Sequence, residues 1–108
     1  MSPANPVRGE ATLVIQGEAH VLRPTFAALV AAEDELGPLF ALVERASAGQ
    51  LRLGELATLF WHCLAQPHSQ TRAHVGEAIA AQGLAVAAAP LRALLVQILQ
   101  GHPSTSAG

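Results

Sequence analysis

The 108-residue sequence contains no tyrosine and no lysine, one cysteine, and only 13% charged residues. Each shortage excludes something. The lone Cys63 rules out an internal disulfide and fits a reducing cytosol. All basic residues are arginines (Arg8, Arg23, Arg45, Arg52, Arg72 and Arg92), spread along a chain of net charge −2. A nucleic-acid binder presents a basic cluster, so that class is set aside. The longest apolar run, Leu84 to Pro90, falls far short of the roughly 20 residues that span a bilayer. The N-terminus lacks the basic and apolar regions of a signal peptide. The expectation is a protein made in the cytoplasm, with neither nucleic acid nor membrane as a partner.

What is present is apolar. Hydrophobic residues make up 51% of the chain, much of it alanine, and aromatics only 4%. Alanine favours helix but buries little area. The core is therefore expected from the leucines, valines and isoleucines, with Phe26, Phe40, Phe60 and Trp61. A charged fraction about half the usual ~25% points to apolar surface meant for a partner.

The chain changes period at Pro24-Thr25. Before it, Ala11, Leu13 and Ile15 alternate with Thr12, Val14 and Gln16, the pattern of a strand. Gly17-Glu18 is expected to turn the chain in a type II′ hairpin, with Ala19 to Arg23 as the return strand. Such a hairpin is marginal alone and must lie on helices or extend another chain's sheet. Pro24 keeps Arg23 extended, Thr25 can cap a helix, and Gly37 can close it.

From there the apolar residues recur at helical spacing. A first helix over 26–36 is expected to present Phe26, Leu29, Val30 and Leu36 to the core. Glu33, Asp34 and Glu35 crowd its C-terminal end, as a solvated face or as an acidic contact for a basic partner helix. A second helix takes Pro38 at its first position and shows Leu39, Leu42, Val43 and Ala46 on one face. The third is the most clearly amphipathic, with Leu56, Leu59, Phe60, Cys63 and Leu64 in register. Trp61 lies off that stripe, either half-buried against the hairpin or an exposed anchor. Ser69 or Thr71 caps a fourth helix carrying Val75, Ala78 and Ile79, with Gly83 after it. Near Leu84 a fifth begins. Pro90 either kinks it or, as preferred here, opens a new helix whose stripe is Leu91, Leu94, Leu95, Ile98 and Leu99, closed by Gly101. The reading is an α+β, mainly α domain over 9–101, a two-stranded antiparallel hairpin followed by four to five short helices in a compact bundle. Residues 1–8 read as a flexible arm and 102–108 as a disordered tail.

No catalytic set stands out. His20, His62, His68, His74 and His102 show no i, i+4 pair and no HExxH pattern, so they read as surface and boundary residues. Cys63 sits on an apolar stripe, as a small core residue rather than a nucleophile. The glycines form no phosphate loop. The sequence is read as a non-enzyme without metal or cofactor.

The order of these signals resembles a family. The Gly-Glu-led hairpin, Leu22-Arg23-Pro24-Thr25-Phe26-Ala27-Ala28-Leu29, the acidic Glu33–Gly37 ending, Ile79-Ala80-Ala81-Gln82-Gly83-Leu84 and a final leucine helix resemble small tail proteins of gene transfer agents and siphophage-like prophages. Members are described as tail-assembly-chaperone-like or as tail tube proteins. The resemblance covers about residues 9–101.

The two labels imply different physics. A tube subunit is expected to be sandwich-like, with strands that join a ring; two short strands do not supply that. A tail-assembly chaperone is taken to coat the long, helical tape measure protein until tube subunits polymerise around it, which amphipathic helices could do by helix-in-groove recognition. The resemblance thus implies a chaperone that binds the tape measure protein and other tail proteins in the cytoplasm of a bacterial host. A tube or tail-terminator subunit retained in the particle is the alternative, and a small DNA-binding regulator a distant third. Phe40, Trp61 and Val96, bulky residues off the core stripes, are the expected contacts. The hairpin edge is a natural place for copies to pair as a homo-oligomer.

Overall fold

The first strand, β1 (Ala11–Ile15), is buried at Ala11, Leu13 and Ile15 and exposed at Thr12 and Val14, so the period-2 pattern sets which face meets the core. A computed structural model describes residues 11–66 and 69–100; the arm, the tail and Gly101 lie outside them. β1 pairs antiparallel with β2 (Glu18–Leu22) in the register Ala11↔Leu22 to Ile15↔Glu18. The turn differs from expectation by one residue. Its central pair is Gln16-Gly17, with φ of 53° and 83°. Positive φ at both positions makes a type I′ turn, whose twist matches the strands, rather than the type II′ turn expected at Gly17-Glu18.

Five helices follow: α1 (Phe26–Leu36), α2 (Leu39–Ser47), α3 (Leu53–Cys63), α4 (Arg72–Gln82) and α5 (Leu84–Gln100). Their ends obey local chemistry. Thr25 Oγ1 accepts the Ala28 N–H at 3.1 Å and Thr71 Oγ1 accepts that of His74 at 3.1 Å. Gly37 and Gly83, at φ 91° and 92°, close α1 and α4. Pro38 is the N-cap of α2 rather than its first residue. Glu33 supplies what proline cannot, accepting the Leu39 N–H at 3.0 Å.

The core is built around α3, where Leu56, Ala57, Leu59, Phe60 and Cys63 are buried, with Leu64 just beyond. α1 and α4 pack on α3, α5 packs on α4 and β1, and Val75, Ala78, Ile79, Ala87 and Leu94 complete the cluster. Small residues let α3 and α4 approach closely: a Cβ at Gly76 would lie 3.5 Å from that of Ala57.

Two core expectations are overturned. Phe26 is 85% exposed and Val30 40% exposed. The inward face of α1 is instead Ala32, flanked by Ala28, Leu29 and Leu36. Small side chains there let α1 sit close to α3, which turns the two larger residues outward. Phe40, counted among the core aromatics, is also outside, leaving Phe60 as the fully buried ring.

The second correction is at Pro90. α5 is one 17-residue helix running through the proline rather than two helices divided by it. Pro90 is buried on the same side as Ala87 and Leu94, while Leu99, at the far end of the expected stripe, is exposed. The helix is held through the proline by the packing of Ala87 and Leu94 into the core, against a missing hydrogen bond that costs about 3 kcal/mol in a helix interior. The real break lies earlier, at Gly83, where α4 and α5 bend by 120°.

Candidate interaction surface

The hairpin is tied to the helices by its own backbone. Leu22 and Leu64 form an antiparallel bridge, Ala65 N–H donates to Val21 O at 2.8 Å, and Arg23 N–H donates to Cys63 O at 2.6 Å. On the other edge, Gln82 Nε2 donates to Val14 O at 2.5 Å. Both sheet edges are thus partly covered by the chain itself.

A polar cluster joins three helices. Glu35 on α1 accepts from both terminal nitrogens of Arg72 on α4, Nη2 at 2.6 Å, and lies 2.5 Å from His62 Nε2 on α3. Hydrogen bonds from Arg72 and then His62 hold the Glu35 carboxyl below its ordinary value near 4.5. The Arg72 guanidinium also stacks over Trp61, 4.4 Å from the ring centroid, and His62 meets the indole edge-on at 4.9 Å. Trp61 Nε1 donates to Gln70 O at 2.8 Å. Trp61 is therefore half-buried, against the connector and α4 rather than the hairpin.

The acidic end of α1 is thus divided. Glu33 caps α2, Glu35 reaches across to Arg72 and His62, and Asp34 is exposed with no partner among the described residues. Sequence reading misses the Glu35 contact, although its period holds the signal. Glu35 stands three residues after Ala32 and seven after Ala28, on the side of α1 that meets α3. A second charged tie crosses from α2 to α3, where Arg45 Nη1 lies 2.7 Å from both oxygens of Glu55. Glu55 also accepts the Arg52 N–H at 3.0 Å; that bond first, and Arg45 second, lowers its pKa.

The remaining candidates sort by position. Phe40 is 81% exposed on α2 and Val96 is 47% exposed on α5. With Trp61 half-buried on α3, the three lie on different helices. Cys63 is fully buried and its thiol is pushed up to about 12 by desolvation, the state of a core residue rather than a nucleophile. Among the described residues no group of three or more His, Cys, Asp or Glu side chains could hold a metal ion. No single helix among them is long and apolar enough to cross a membrane.

Among the described residues the chain is a hairpin braced on five helices, with Phe26, Phe40 and Val96 left exposed. The family model for phage tail tube protein, GTA-gp10, matches residues 8–101, and the chain belongs to this family. It is a family of phage tail proteins, not an enzyme class. No curated protein and no solved structure matches the chain.

Proposed function

We propose that this tail protein acts as an assembly chaperone, binding the helical tape measure protein in the cytoplasm of a bacterial host while the tail is built. The observation that carries the reading is architectural. The described residues hold one two-stranded sheet, too little to line a tube, and five helices that leave Phe40 and Val96 outside the core. An amphipathic partner helix would cover such residues. Phe40 and Val96 are the proposed contacts, together with the open part of Trp61.

Co-expression with the tape measure protein of the same gene cluster, followed by affinity purification and light scattering, tests this. The pair is expected to copurify, with the tape measure protein soluble only in company. A Phe40→Ala, Trp61→Ala, Val96→Ala variant that melts like the parent yet binds fully would remove the assigned surface. The second reading, a structural tube subunit, is favoured by the family's description. Stoichiometric presence in purified particles would establish it, and absence from particles would support the chaperone.

A further inference from the structure

Two outward helix faces are complementary. On α1 the exposed side carries Phe26, Ala27, Val30 and Asp34, an apolar strip ending in a carboxylate. On α5 it carries Ala88, Ala89, Arg92, Val96 and Leu99. α5 contains no acidic residue, and Arg92 is its sole charge. Neither Asp34 nor Arg92 has a partner among the described residues.

The spacings match. Val30 to Asp34 and Arg92 to Val96 are each four residues, about 6 Å along a helix. Laid antiparallel, the two helices place Asp34 against Arg92, Val30 against Val96, and Phe26 and Ala27 over Leu99. One copy cannot make this contact itself, because α3 and α4 separate α1 from α5 in the order of packing and both faces point outward.

We infer that α1 of one copy docks on α5 of the next, an apolar strip oriented by the Asp34–Arg92 pair. The two patches differ, so the contact repeats from copy to copy, into a ring where the rotation closes and into a filament where it does not. Two short helix faces bury less than a stable dimer interface, so the association is weak and concentration-dependent. Val96 also belongs to the partner surface proposed above, so self-association and partner binding compete on α5.

Sedimentation velocity on the purified chain alone, from micromolar to millimolar, tests the inference independently of any tape measure protein. The parent is expected to grow in mass with concentration. Asp34→Arg or Arg92→Asp alone should weaken association about tenfold, since an attractive pair becomes a repulsive one. An equimolar mixture of the two variants should recover it, because each then meets a partner of opposite charge across the contact. Val30→Asp should abolish association, alone or added to either charge variant in the mixture. Thermal melts show whether each variant is folded, and both charge sites are exposed. A parent that stays monomeric throughout overturns the inference. So do charge reversals without effect, or a mixture no better than its components.

Discussion

Glu35 and Arg72 stand 37 residues apart in sequence, and their charge-assisted hydrogen bonds join the end of α1 to the start of α4. With His62 as a third member, this tie spans the elements that enclose α3. Its stability is linked to pH with a definite sign. The folded-state pKa of Glu35 is depressed, so its contribution is complete above the unfolded value near 4.5 and is lost as pH falls through the folded one. Glu35→Gln should lower Tm at pH 7 and shrink the difference in Tm between neutral and acidic solution. Equal acid sensitivity in parent and variant, measured by circular dichroism melts, would rule the linkage out.

The phenylalanines divide by position. Phe60→Ala leaves a cavity in the middle of the core and should cost about 3–5 kcal/mol. Phe26→Ala and Phe40→Ala, at low protein concentration where copies do not associate, should stay within about 0.5 kcal/mol of the parent. Urea unfolding of the three variants measures the contrast. A large loss from either exposed ring would place it in the monomer core.

The hairpin turn makes its own demand. Gln16 has φ 53°, a conformation that asparagine tolerates better, and Gly17 has φ 83° with no atom within 4 Å of an added Cβ. Gln16→Asn should therefore stabilise the protein by a few tenths of a kcal/mol. Gly17→Val should destabilise it by about 1–2 kcal/mol through backbone strain rather than collision. Both are read from denaturant midpoints at constant m-value.

Pro90 sets two effects against each other. Pro90→Ala restores an N–H to the interior of α5, worth up to about 3 kcal/mol, and removes buried ring atoms worth about 1.5 kcal/mol. The expected result is a net gain of about 1 kcal/mol. A loss of stability, by equilibrium unfolding, would mean that ring packing outweighs the helix bond.

Much of this fold is legible in local chemistry. Thr25, Thr71, Gly37 and Gly83 mark helix ends through backbone requirements that involve only neighbours. The alternation in β1 and the stripe from Leu56 to Leu64 identify their buried faces, because each places large apolar residues on a single side. α1 defeats the same reasoning for the opposite cause. Its buried face is lined partly by alanine, and side-chain size gives no hint that Ala32 rather than Phe26 points inward.

The candidate surface follows the same division. Phe40 and Val96 lie off the apolar stripes of their helices and both are exposed, although composition alone also counted Phe40 towards the core. The cluster of Glu35, His62, Arg72 and Trp61 cannot be named from sequence, since hydrogen bonds between distant residues leave no periodic trace.

By itself the sequence determined the caps that bound α1 and α4, which strand face is buried, and which stripe of the third helix is apolar. Those properties rest on φ preferences, capping and periodicity, all local. Only the tertiary structure decided which way α1 turned, that α5 continues through Pro90, and which carboxylate of three reaches Arg72. Each depends on how closely two helices approach, and in an alanine-rich chain that distance is set by the packing partner.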